Sequence, residues 1–318
     1  MNEFFLLVGP IYLLLTAAAI LSLISPALHT LSCHGKTRIS SFNKFHYTDK
    51  NFFQRIWNLL LTSNVLTVKK SRFADFYVVG IITTILLIHR WNSITIIETQ
   101  LQHHWLPTCL LLIHLIRRLC ECVWIQKSMS TSRMHIAGYL LGVLHYLCLP
   151  FVFIPAVPYH ELEQGSQDWR VISVIFRFMT ILGCLYYQYQ QFRHHVILGK
   201  LRRPNEISSS SGCIKNSYRI PTGGWFDLIS CPHYLAEIML YLMFAIVLQI
   251  QASETKIIIQ NSTMNGIVSM LCINRHWVVL LWVATNLIIS ASRTHAWYIS
   301  TFGLAYPKQR RKLIPYLW

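Results

Sequence analysis

"YRIPTGGWFDLISCPHYLAEIMLYLMFAIVLQIQ", residues 218–251, joins two kinds of chain without a break. Its first half holds Arg219, a Pro-Thr-Gly-Gly turn and Asp227, then His233 and Glu237 four residues apart. From Tyr234 onward it is almost wholly apolar for the length of a bilayer-spanning helix, about 20 residues. A polar mouth opening straight into a membrane-length apolar run sets the fold class: helices in lipid, with polar groups gathered at one of its surfaces.

The rest of the chain repeats this pattern. Of 318 residues, 53% are hydrophobic and 13% charged, with a mean hydropathy of +0.41. Soluble domains carry about twice that share of charge. Seven apolar stretches qualify as spans: 5–28, 74–90, 103–123, 135–157, 171–191, 234–251 and 274–300. Their apolar runs lack period-2 alternation, so the expected fold is all-α, a polytopic bundle of seven transmembrane helices and not a barrel. The whole chain, 1–318, reads as one integral membrane domain. The stretch 51–66, "NFFQRIWNLLLTSNVL", is amphipathic but interrupted, and reads as an interfacial segment.

The charges orient the bundle. Residues 29–73 carry eight Lys/Arg, the connections 116–134 and 192–233 four and six more, and the tail adds Lys308, Arg310, Arg311 and Lys312. The alternate connections are nearly free of basic residues: 159–170 is mostly acidic and 252–273 has only Lys256. Positive residues stay cytoplasmic, so the C-terminus is expected in the cytoplasm and the N-terminus in the lumen. The net charge of +16 then reflects topology and calls for no nucleic-acid partner. Asn261, in "NST", is a glycosylation acceptor on the lumenal side. The nine cysteines show no zinc spacing, so no metal site is expected, and Cys120 and Cys122 read as membrane-facing thiols.

Ionisable groups at membrane depth are costly and mark function. Four clusters converge on the cytoplasmic half: Asp75 with Tyr77; His114, Arg118 and Glu121 on one helical face; 191–206; and Arg293, His295 and Tyr298. The carboxylates each require a cationic or proton-donating partner. Arg202, Arg203 and Arg219 suit an anionic group, since guanidinium forks grip phosphate oxygens. Neither GxGxxG nor GxxxxGK[ST] is present, so a nucleotide would be held by helix ends and loops.

"LRRPNE" (201–206), "YRIPTGGWFDLISCPHYLAEI" (218–238) and "YPKQRRKLIPYLW" (306–318) resemble the C-terminal half of the steroid 5α-reductase family. "RRLCEC" (117–122) and "HHVILGKLRR" (194–203) are similar to its polyprenol-reductase branch. The likeness implies an endoplasmic-reticulum enzyme that reduces a carbon–carbon double bond with NADPH, held in a C-terminal half at about 188–318 under cytoplasmic loops. By motif position, the implied cofactor contacts are Gln191, His195, Arg202, Arg219, His233, Glu237, His295 and Tyr298. In the steroid branch an asparagine takes the place of His233, and Asn and Asp those of Gln191 and His195.

The catalytic residues depart further. Steroid-reducing members share a Gln-Glu pair on the second helix and a tyrosine on the third. Here "FADFY" (73–77) and Leu115 occupy those places, which disfavours a steroid ketone site. Asp75 and Tyr77 are the nearest substitutes, with Glu121 or His114 as second partner. Hydride adds readily to a double bond only where the developing charge has a sink. A conjugated carbonyl with a donor at its oxygen provides one, and an allylic alcohol does not. The expected substrate is therefore a polyprenal, the α,β-unsaturated aldehyde of a long isoprenoid drawn from the bilayer, on the route to dolichol, with no obligate protein partner. The alternatives are a 3-oxo-5α-steroid 4-dehydrogenase or trans-2-enoyl-CoA reductase of the same family, an S-adenosylmethionine-dependent methyltransferase, and a proton-coupled transporter.

Overall fold

The computed structural model describes residues 2–25, 66–95, 105–125, 132–153, 167–201, 218–254 and 274–318. Its main helices are α1 (Asn2–Leu21), α2 (Phe73–Thr95), α3 (Trp105–Cys120), α4 (Ile136–Cys148), α5 (Pro150–Phe153), α6 (Gln167–Leu201), α7 (Pro232–Glu254) and α8 (Arg275–Phe302). Helix therefore occupies part of each expected apolar stretch. Among the described residues, five are long and apolar enough to cross a bilayer: Lys70–Arg90, Ile136–Phe153, Val171–Leu201, Pro232–Ala252 and Arg275–Ala305. The chain is thus a multi-pass membrane protein. The interfacial segment up to residue 65, Asn261, Arg202 and Arg203 lie outside the described residues.

Boundaries follow local chemistry. α4 stops before Pro150, which lacks an N–H and crowds the preceding turn, and α5 restarts the helix from that proline. α6 runs 35 residues, about 52 Å at 1.5 Å per residue. The basic stretch 192–201, expected as loop, stays helical because nothing in "FRHHVILGKL" breaks a helix except one glycine. That glycine is required. A Cβ on Gly199 would lie 2.7 Å from the Ile125 carbonyl oxygen, so α6 packs directly against the π-helical turn Glu121–Ile125 that ends α3.

Strands β1 (Thr67–Lys69) and β2 (Arg133–His135) pair antiparallel, Thr67 opposite His135, and bring the starts of α2 and α4 level. His135 also caps α4, its Nδ1 accepting from Ala137 N at 3.1 Å. α6 packs along α7, α1 and α7 pack on α8, and α2 lies between α3 and α4. The shared core gathers Tyr12, Phe76, Leu111, Leu115, Leu149, Leu240, Phe244 and Trp282. Val171, Ile175, Phe178, Met179, Leu182 and Leu185 on α6 stay exposed, as a lipid-facing stripe must.

Candidate active site

Between these helices lies a cavity of about 400 Å³. α2, α4 and α7 enter it from one end, and their polar residues descend by turns: Tyr77; His145 and Tyr146; His233, Glu237 and Tyr241. Arg118 and His195 close the wall from α3 and α6, and α8 contributes Asn286, Ser290 and Arg293, the last donating to Ser22 Oγ of the segment after α1 at 3.1 Å.

Behind this wall lies a buried ionic cluster. Glu121, 1% exposed, pairs with both Arg117 and Arg118 and lies 2.6 Å from His195 Nδ1. Arg117 also donates to Gln188 Oε1 at 3.1 Å and to Gln191, and touches His114 Nδ1 at 3.2 Å. Gln191 passes the chain on, its Nε2 donating to Glu237 Oε2 at 3.0 Å. Arg118 reaches the cavity itself: Nη2 donates to Tyr77 Oη at 2.8 Å, and the guanidinium lies 5.1 Å from the centroid of that ring. A buried carboxylate is tolerable only with such partners, and Glu121 has three. The Arg118 Nε–H, also buried, has no partner among the described residues.

The structure sorts the expected residues into three groups. Tyr77, His195, His233 and Glu237 line the cavity. Glu121 and Gln191 stand one layer behind and bond to Arg118, His195 and Glu237, which do, while His114 touches Arg117. Asp75, His295, Tyr298 and Arg219 are not among the lining residues, and Arg202 is not described. Asp75 accepts from Tyr139 at 2.9 Å and pairs with Arg72 at 3.6 Å. Two residues along a helix turn the side chain by about 200°, so Asp75 and Tyr77 cannot share a face. Cys122, expected to face lipid, is on the cavity wall, because the π-helical turn shifts the phase of the α3 end.

His295 and Tyr298 contact instead the loop ahead of α7 and the tail. His295 Nδ1 and Tyr306 Oη both lie 2.6 Å from Ser230 Oγ, and Tyr298 stacks on Tyr306 at 5.4 Å. Burial pushes the Tyr306 phenol above its ordinary range, so it stays protonated for that bond. The tail 306–318 is bound back to the loop ahead of α7: Ile229 and Arg311 form a parallel bridge, and Arg310 Nη1 donates to Pro221 O at 2.8 Å. Gly223 and Gly224 turn that loop with φ of +93° and +59°, which glycine alone adopts without strain, and Asp227 accepts from Gly223 N at 2.9 Å. On the other side His194 meets Trp225 and Phe226 edge-on or tilted, at 5.2 and 5.5 Å. The stretch 218–231 is therefore clamped between α6 and the tail.

Sequence reading passed over Arg117, His145, Tyr146 and Tyr241. Tyrosines and histidines in apolar helices look like core or interfacial residues until the packing shows which way they face.

The chain is similar in sequence to known reductases. The chain is 29% identical over 319 residues to polyprenal reductase 1 of Arabidopsis thaliana, covering 88% of this chain and 90% of that protein. It is 27% identical over 278 residues to the polyprenal reductase of Caenorhabditis elegans, covering 79% and 80%. To the human polyprenal reductase it is 28% identical over 209 residues, 65% of this chain and 57% of that one. The family model for 3-oxo-5-alpha-steroid 4-dehydrogenase matches residues 153–267 and 263–318. That match takes in α6, α7, α8 and the tail clamped to them, and places the chain in the 3-oxo-5-alpha-steroid 4-dehydrogenase family, the steroid 5α-reductases.

Proposed function

We propose that this protein is an NADPH-dependent reductase of the endoplasmic-reticulum membrane that saturates the double bond next to the aldehyde of a polyprenal, on the route to dolichol for protein N-glycosylation. The relatives named polyprenal reductases support the substrate class. The observation that carries the reading is the Arg118–Tyr77 contact inside the cavity. Since Tyr77 Oη accepts from Arg118, its own hydrogen is left to donate, and the neighbouring positive charge strengthens it as a donor. A donor so placed stabilises the charge that develops on a conjugated aldehyde oxygen as hydride reaches the β carbon. An allylic alcohol gives Tyr77 no such charge to stabilise.

NADPH supplies the hydride when bound. That Glu237, His233 and His195 line the cavity, with Gln191 bonded to the Glu237 carboxylate, supports their holding the nicotinamide half. The buried, unsatisfied Arg118 Nε–H fits a site that takes a polar ligand. Arg202 and Arg219 suit the phosphates, outside the cavity proper. Seven spans, with basic loops and C-terminus cytoplasmic and the N-terminus lumenal, keep this mouth on the side where NADPH is available, while the isoprenoid tail stays in lipid. The oxygen donor in this reading is Tyr77, supported by Arg118 and Glu121, with His114 holding Arg117 behind them.

Deuteride transfer tests it. Purified protein given polyprenal and 4-deuterated NADPH is expected to yield a saturated aldehyde labelled on the carbon β to the carbonyl. A label on the carbonyl carbon, giving the allylic alcohol, contradicts the proposal.

A further inference from the structure

Three buried side chains that the reduction does not employ form a line from α1 to the cavity. Tyr12 is fully buried, and its hydroxyl lies 3.0 Å from both the carbonyl oxygen and Nδ1 of His145. His145 Nε2 lies 3.3 Å from Tyr241 Oη. His145 and Tyr241 both line the cavity, and each stands nine residues into its helix.

Hydrogen-bond bookkeeping fixes the direction of this line. A hydroxyl carries one hydrogen, and a carbonyl oxygen only accepts, so Tyr12 donates to the His145 carbonyl. Nδ1, facing the same phenolic oxygen, satisfies that contact by carrying N–H and donating back. Nε2 is then the lone-pair nitrogen, and Tyr241 O–H donates to it. The Tyr241 hydrogen is thus turned away from the cavity and its lone pairs are left to face a ligand. Tyr77 has the opposite polarity, since Arg118 occupies its oxygen. The two cavity tyrosines are a donor and an acceptor by virtue of their partners.

Glu237 stands one turn before Tyr241 on the same face of α7, with Cβ atoms about 5–6 Å apart at that spacing. One of its oxygens accepts from Gln191, and the residue lines the cavity. From this we infer that Glu237 and Tyr241 are paired acceptors for the two N–H groups of a primary carboxamide, with Tyr12 and His145 as positioning residues that hold Tyr241 in its accepting state. Resting on the NADPH reading above, the inference assigns the amide of the nicotinamide ring to this pair. A carbonyl oxygen is repelled there, which leaves the aldehyde oxygen to Tyr77. The pair therefore sorts the two carbonyl-bearing ligands into separate places.

The test compares binding of NADP⁺ and its 3-acetylpyridine analogue, which replaces the carboxamide with an acetyl group lacking N–H. Titrations use the full chain in detergent. Wild type is expected to prefer NADP⁺ by about tenfold, the worth of one to two hydrogen bonds. Tyr241→Phe keeps the ring's packing and is expected to shrink that preference. Tyr12→Phe, which frees the His145 tautomer without touching the cavity, is expected to shrink it too, and Tyr241→Phe alone decides should Tyr12→Phe not fold. A Tyr241→Phe protein with the full preference overturns the inference. Wild type that binds both nucleotides equally overturns it while leaving the NADPH reading intact, and wild type that binds neither overturns both.

Discussion

Gln191 Nε2 donates to Glu237 Oε2 across 3.0 Å, and through that bond the ionic cluster behind the cavity reaches the residue proposed to meet the cofactor. Glu237→Gln keeps the shape and is expected to leave thermal stability within about 1 kcal/mol of wild type. It removes the charge that accepts, so the affinity for NADP⁺ is expected to fall by about tenfold or more. Unchanged affinity in a titration removes Glu237 from the cofactor site.

Glu121, itself buried, holds the buried Arg118 and the half-buried Arg117. Removing one partner of a buried ionic network leaves uncompensated charge and costs about 3–5 kcal/mol. Glu121→Ala is therefore expected to lower the melting temperature in detergent sharply and to reduce the yield of folded protein. Wild-type stability shows that water or another carboxylate neutralises Arg117 and Arg118.

Tyr77 and Asp75 separate cleanly by mutation. Tyr77→Phe removes the donor proposed for the carbonyl oxygen and is expected to lower kcat about 100- to 1,000-fold. Asp75→Asn changes a residue bonded to Tyr139 and Arg72 outside the cavity, and is expected to leave kcat within about threefold, since surface changes of this kind stay near 0.5 kcal/mol. Steady-state rates on one polyprenal preparation decide between the two.

Gly199 passes against the backbone of the π-helical turn. Gly199→Ala puts a methyl group 2.7 Å from the Ile125 carbonyl, where backbone must give way. It is expected to cost about 1–3 kcal/mol and to loosen Glu121 with it, seen as a lower melting temperature. An unchanged melting curve means that α6 and this turn are not in rigid contact.

Arg202→Ala is expected to weaken NADPH binding more than NADH binding, because only the former carries the 2′-phosphate that a guanidinium fork grips. Equal losses for both assign Arg202 another role.

The multi-pass helical fold was legible because bilayer thickness imposes a run length that composition exposes directly, and the structure finds helix within every such run. The polar cluster of α3 was legible from spacing alone: His114, Arg118 and Glu121 share a face, and Arg117 joins them. What escaped reading depends on phase and on distant contacts. Asp75 looked interchangeable with Tyr77 because both open α2, yet two residues point to opposite sides. Cys122 looked lipid-facing because a π-helical turn leaves no mark in composition. Tyr241 and His145 look like core residues in isolation, and their polarity emerges only when Tyr12, more than a hundred residues away in sequence, comes within 3.0 Å. His295 and Tyr298 fit the family motif, but their partners, Ser230 and Tyr306, come from a loop and a tail distant in sequence that meet through the Ile229–Arg311 bridge and the Arg310–Pro221 bond.

The most direct test of the account offers polyprenal, polyprenol and a 4-ene-3-ketosteroid in parallel to the detergent-purified protein with NADPH, and identifies products by mass. The account predicts saturation of the polyprenal, none of the free alcohol, and no steroid turnover, because Tyr77 and Arg118 serve an aldehyde oxygen and Leu115 stands where steroid-reducing members have a tyrosine. Saturation of the free polyprenol without an aldehyde intermediate, or preferential turnover of the steroid, contradicts it.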